Sequence, residues 1–208
     1  MTEKDKKERG LGEVYLKDVR LSFPRLFEKT SSVDGGKKKY RANFLIDPVE
    51  KLGAKVIKAI EKAKKAVEKE KWDKTPKYKD DRCCFQAGEN FTASETGEIY
   101  GGYEGMMVLK ASGDGPLKLK YKGKGGNLTR DDDDPFYAGC RVDAIVRIYP
   151  ITNKKQGGTG LFAGLEGVSF RRDDEAFGAP GLSDDAFEEV DDDDEYADDE
   201  DDDDDLLD

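Results

Sequence analysis

Along residues 13–23 apolar and polar side chains alternate, with Val14 and Leu16 on one parity and Val19, Leu21 and Phe23 on the other. Alternation at period two marks a half-buried strand, and the single slip between Leu16 and Val19 is what a β-bulge leaves in such a pattern. Pro24, which brings no backbone N–H, is predicted to end that strand. A polar connection, SSVDGGKKK at 31–39, leads into a second strand at 40–46, where Tyr40, Ala42, Phe44 and Ile46 share a face. One segment then carries helical spacing, through Leu52, Val56, Ile57, Ile60, Ala63 and Val67. Asp47 as cap, Pro48 at the first helical position and Glu50 in a capping-box-like pattern predict its start, and Trp72 and Pro76 close it. The helix's other face is mostly lysine with glutamate, which is how solvated faces read.

From 82 to 172 short apolar runs are separated by glycine-rich turns, and strands are predicted at 83–87, 105–112, 117–121, 139–150 and 161–171. In the fourth of these Val142, Ala144, Val146 and Ile148 face inward, with Arg141, Asp143, Ile145 and Arg147 opposite. Phe44, Phe85 and Phe170 are expected in the core. Short strands in this number with one substantial inserted helix predict a mainly β chain, an OB-fold-like small β-barrel. The expected organisation is a flexible N-terminal arm at 1–10, the barrel domain at 11–176 and a disordered acidic C-terminal tail at 177–208. That tail is too charged and too poor in apolar side chains to pack a core.

Charge sharpens the division. The chain has 208 residues and a net charge of −11, but 21 of its 47 acidic residues lie in 173–208, where there is no Lys or Arg. The remaining 26 face all 36 basic residues, so the body carries +10 and the tail −21. A basic body points to a polyanionic partner. Apolar residues punctuate the tail, at Phe187, Tyr196, Leu206 and Leu207, as in a docking peptide; its candidate partner-binding residues are Asp201, Asp202, Asp203, Asp204, Asp205, Leu206 and Leu207. No apolar run approaches the length of a membrane span, so a soluble protein without membrane contact is expected.

The chemistry is narrowed by what is missing. With no histidine, triads and imidazole bases are excluded, and Cys83, Cys84 and Cys140 form no CxxC and are too few for an all-cysteine zinc site. They read as reduced thiols that pack. Four aspartates at 131–134 are a candidate for magnesium or calcium, but alternate side chains of an extended run diverge and no EF-hand spacing is present. No GxxxxGK[ST] pattern supports nucleotide hydrolysis. No enzyme, cofactor or metal is expected.

Cations and aromatics are interleaved in the body: Lys37, Lys38, Lys39, Tyr40 and Arg41; Tyr100 and Tyr103; Lys118, Lys120, Tyr121, Lys122 and Lys124; with Arg147 on the outward face of its strand. Cations neutralise phosphates while aromatic faces stack on bases of any kind, which suits single strands without reading sequence. Duplex readers need a helix or ribbon shaped for a groove, and none stands out. Tyr40, Tyr103 and Tyr121 are the expected stacking platforms. A tail acting alone, as an acidic chaperone or nucleic-acid mimic on basic partners, is the alternative reading.

The segments VRLSFPRLFE (19–28), YGGYEGMMVLKAS (100–112), FYAGCRVDAIVRIYPI (136–151) and GLFAGLEGVSFRRDDEAFG (160–178) resemble a bacteriophage family of single-stranded DNA-binding proteins, over 11–178. The resemblance implies an OB fold with an acidic tail, binding of single-stranded DNA in phage replication and recombination, and the cytoplasm of the infected bacterial host as its setting. It also implies that the tail contacts polymerase and helicase-primase and occupies the DNA groove when DNA is absent. Leu206 and Leu207 stand where many such proteins end in Phe. Weaker duplex DNA or RNA binding and a homodimer are compatible with the sequence.

Overall fold

A computed structural model of the chain describes residues 10–31, 37–72, 76, 78–121, 135–152 and 158–177. The chain divides into two units, 1–178 and 179–208, and every described residue lies in the first. The elements run β1 (Glu13–Thr30), β2 (Lys39–Ile46), α1 (Lys51–Lys71), β3 (Phe85–Ala87), β4 (Met107–Gly113), β5 (Lys118–Lys120), β6 (Arg141–Ile151) and β7 (Gly160–Arg172). The sheet order is β3-β4-β2-β1-β6-β7-β5, and a parallel contact between Ser112 of β4 and Gly164 of β7 closes β1, β2, β4, β7 and β6 into a five-stranded barrel. This is the expected OB-fold architecture with its inserted helix.

The barrel interior follows the sequence pattern. Val142, Ala144, Val146 and Ile148 of β6 are buried, as are Phe44 and Phe85, whereas Phe170 is only partly so and packs against the core from its edge. α1 sets Val56, Ile60 and Val67 against this core and keeps Lys55, Lys58, Lys62, Lys65 and Lys69 in solvent. No described helix is long and apolar enough to cross a membrane.

Two boundaries differ from the sequence reading. β1 does not stop at Pro24 but continues to Thr30, because its pairing with β2 shifts register between Ser22 and Arg25. At such a bulge the missing proline N–H is not asked for. The helix begins at Lys51, with Glu50 as its cap residue and no side-chain cap bond. Asp47 instead accepts the Val49 amide at 2.7 Å, closing an Asx turn ahead of the helix. The slip anticipated between Leu16 and Val19 is present as a register shift against β6, with Asp18 at φ 54°.

Segment 83–87 completes the wall where β4 and β7 diverge. The Cys84 amide donates to Leu161 O and the Lys110 amide to Cys84 O, both at 2.8 Å, and Cys83 bridges to Leu161. All three cysteines are buried thiols that form no disulfide. Since Ile60 is fully enclosed between helix and barrel, Ile60→Ala is expected to cost about 2–5 kcal/mol of unfolding free energy. Urea denaturation measures it.

Candidate nucleic-acid interface

The register of the central strands decides which side chains face outward together. Arg41 pairs with Ser112 and Asn43 with Lys110 across β2 and β4, so these four side chains emerge on one face. They line a groove of about 250 Å³ that also takes in Asp81, Cys83, Cys84, Phe162 and Ala163. β2 and β4 are the second and third strands of the barrel, the face on which OB folds receive oligonucleotides.

Aromatic rings edge this groove, each with a cation near it. Lys110 Nζ lies 5.3 Å from the centre of the Phe91 ring, and the Arg82 guanidinium 4.8 Å from that of Phe162. Phe91, Tyr100, Met106 and Phe177 pack on a second buried cluster of Leu45, Tyr103 and Val108. On the neighbouring strand Arg25 stands opposite Arg41. Like charges directly opposed across a ladder are unfavourable by themselves, and an anion between them relieves the repulsion.

The electrostatics favour a polyanion here. Burial holds the Lys110 amine below the ordinary lysine range, with the Cys84 and Cys83 thiols and Asp81 acting weakly the other way. At the start of β2, the hydrogen bond from Lys37 at 3.2 Å holds the Asp114 carboxyl low, helped by Lys39 and Lys29. That is the signature of a positive rim.

The sequence-predicted residues fall into separate groups. Arg41 lines the groove; Lys37, Lys38 and Lys39 lie exposed or half-exposed at its β1–β2 end. Tyr40 is half-buried, packed against the core beneath Lys29, whose Nζ is 5.5 Å from its ring centre. Tyr100 is half-buried among the edge aromatics. Tyr103 overturns the expectation of an open stacking face, because it is 1% exposed. Its hydroxyl donates to Ser22 Oγ at 3.0 Å and accepts from Asn43 Nδ2 at 2.9 Å. Burial pushes its phenol above the ordinary range, so it serves as a neutral strut that fixes Asn43.

Lys118 and Lys120 border a different cavity, of about 520 Å³, over β6 and β7, together with Glu13, Asp143 and Glu166. Arg147 on the same side is held by Glu166 at 2.8 Å and Glu13 at 3.1 Å. That lining's three carboxylates are already ion-paired, Glu13 and Glu166 with Arg147 and Asp143 with Arg171, whereas Arg41 and Lys110 against Asp81 leave the β2–β4 groove net positive. Tyr121 stands edge-on to Phe170, ring centres 5.3 Å apart. Lys122, Lys124, the aspartates at 131–134 and the tail residues Asp201 to Leu207 lie outside the described residues.

Sequence reasoning missed Asn43, Lys110, Phe91 and Phe162. A lone lysine in the apolar run MMVLKA and a lone outward ring in GLFAG were the available signals, and neither belongs to a cluster along the chain.

The family model described as "Enterobacter phage Enc34, ssDNA-binding protein" matches residues 12–197. The chain is 36% identical over 187 residues to "Putative protein p50" of Acyrthosiphon pisum secondary endosymbiont phage 1, covering 86% of this chain and 92% of that protein. The solved single-stranded DNA-binding protein from bacteriophage Enc34 in complex with ssDNA superposes with a TM-score of 0.66 at 23% identity, covering 80% of this chain and 90% of that one. A C-terminal truncation of the Enc34 protein gives a TM-score of 0.64 at 22% identity, over 80% and 89% of the two chains. At that identity the likeness establishes the shared fold.

Tyr103→Phe removes the donor to buried Ser22 and the acceptor for Asn43, and is expected to cost about 1–3 kcal/mol of stability, read by urea denaturation.

Proposed function

The chain belongs to the family of phage single-stranded DNA-binding proteins typified by that of Enterobacter phage Enc34, and on that footing we propose that it coats single-stranded DNA during phage replication and recombination. It is a binding protein, not an enzyme. The strand runs through the β2–β4 groove, in the cytoplasm of the infected host, and the acidic tail recruits replication proteins such as polymerase and helicase-primase.

The observation that carries the assignment to this groove is the paired register of Arg41, Asn43, Lys110 and Ser112, two cations and two hydrogen-bonding side chains on the outer face of β2 and β4. Phosphates meet Arg41 and Lys110, with Arg25 beside them and the lysines at 37–39 at the end. Bases meet the rings of Phe91, Phe162 and Tyr100, which stack without regard to sequence. Over β6 and β7, Arg147 and Arg171 are already ion-paired with carboxylates, which disfavours the rival path past Lys118 and Lys120.

The tail supports a second part of the same reading. Phe177, the last described residue, packs against Gly102 and under the Arg20 guanidinium, 4.1 Å from its ring centre, in the cluster that holds Tyr100 and Phe91. Residues 178–208, with charge −18, are therefore tethered to a body of charge +7, and a tethered polyanion competes with DNA at high effective concentration.

Titration of labelled oligo-dT across salt concentrations tests the proposal. Each phosphate neutralised on a single strand contributes about −0.7 to the slope of log K against log salt, so Lys110→Glu is expected to weaken binding and flatten the slope by about that amount. Because the Lys110 amine is lowered, it loses its proton before exposed lysines as pH rises, and affinity falls on the alkaline side; Lys110→Arg removes that loss. Deleting residues 182–208 tightens binding at low salt. A salt-independent affinity, or equal affinity of full-length and truncated chains, contradicts it.

A further inference from the structure

The backbone of β1 is bent where it passes the groove, and the bend singles out one side chain. The ladder with β2 pairs Ser22 with Asn43 and then Arg25 with Arg41, leaving Phe23 and Pro24 against the single residue Ala42. Bulges of this kind re-aim a side chain. Here the residue re-aimed lies between the β1 partners of two groove residues, Asn43 and Arg41.

Phe23 is unusual in two independent ways. It has φ 45°, and only one other non-glycine residue among those described, Asp18, has a positive φ. That region is costly for a bulky side chain, and residues held there concentrate at functional sites. It is also 50% exposed, although both strand neighbours in the inward pattern, Leu21 and Leu26, are buried. The strain therefore does not serve to bury the ring.

The ring is nevertheless held in place. It meets Tyr100 edge-on with centres 5.0 Å apart, and Tyr103 lies 6.3 Å away. Tyr103 is in turn fixed by Ser22, the residue before Phe23, and by Asn43 in the groove. Phe91, 5.4 Å from Tyr103, extends the row towards Lys110. Phe23 is thus supported by an aromatic row and half open to solvent.

We propose that Phe23 is a base-stacking platform of the single-stranded DNA site, presented by the β1 bulge at the Asn43–Arg41 edge of the groove. The inference rests on the single-strand reading and adds a contact to it. A base stacks on the exposed part of the ring while its phosphates reach Arg25 and Arg41. The ligand class is an unpaired nucleobase in a strand, of any identity.

The test uses full-length protein with labelled oligo-dT, following anisotropy and thermal unfolding together. Phe23→Ala is expected to lower affinity by about 5- to 150-fold, the range of one lost base stack, with little change in melting temperature. Phe23→Leu keeps an apolar contact on Tyr100 without an aromatic face, and is expected to lose affinity in the same range. Phe23→Trp is expected to bind as wild type, with indole emission quenched on adding oligo-dT. If Ala and Leu variants bind within twofold of wild type, or if the introduced indole does not respond to oligo-dT, the platform is refuted while the groove stands. Failure of wild type itself to bind oligo-dT removes the single-strand reading, and this inference with it.

Discussion

β1 has to pair with β6 along its first half and with β2 along its second, and 18 residues of strand can join both sides of a small barrel only by bending. Register shifts supply the bend, among them one at Asp18 and one at Phe23 and Pro24, and both bulge residues with positive φ are non-glycine. Each is held by longer-range partners. The Asp18 amide donates to Asp143 Oδ1 at 2.9 Å and its carboxylate meets Arg171 and Arg172, while Phe23 leans on Tyr100. The remainder of the molecule follows from that bend. With β1 coiled, β2 and β4 can curve round to meet β7, the helix covers the core exposed beside β1 and β6, and the outer faces of β2 and β4 are left for a ligand.

Charge then distinguishes faces that shape alone does not. The larger cavity, over β6 and β7, has lysines at its border, but Glu13, Asp143 and Glu166 share it, and Arg147 is already committed to two carboxylates. The smaller groove keeps Arg41 and Lys110 facing one carboxylate and is framed by further cations. On the proposed reading a phosphate chain is drawn to the second, because affinity for nucleic acid comes chiefly from neutralised phosphates. Burial of Lys110 limits how much of that attraction is screened by salt, at the cost of an amine that is easier to deprotonate.

Much of the fold was legible because its signals are local. Alternation in β6 fixes which of its residues are buried, the slip between Leu16 and Val19 is a real bulge, and the apolar spacing of α1 locates the helix to within a turn. The site was half legible for the same reason. Arg41 and the lysines before it form a cluster along the chain, but Lys110, Phe162 and Asn43 come together only through strand register. Tyr103 sits in the glycine-rich stretch IYGGYEG and reads as exposed, yet Ser22 and Asn43, far away in sequence, receive its hydroxyl in the interior. Lys118 and Lys120 read as groove residues, but β5 pairs with the outer edge of β7, which carries them to the cavity over β6 and β7. Pro24 reads as a terminator because a proline is excluded from regular pairing, and only the bulge makes room for it.

Ultraviolet crosslinking of oligo-dT to the full-length protein, with the attached peptides identified by mass spectrometry, reports most directly which face holds the strand. Crosslinks confined to β2, β4 and the rings of Phe23, Phe91, Tyr100 and Phe162 are the expected result. Crosslinks concentrated instead at Tyr15, Ile145 and the residues of β5 would place the strand over β6 and β7 and contradict the groove assignment.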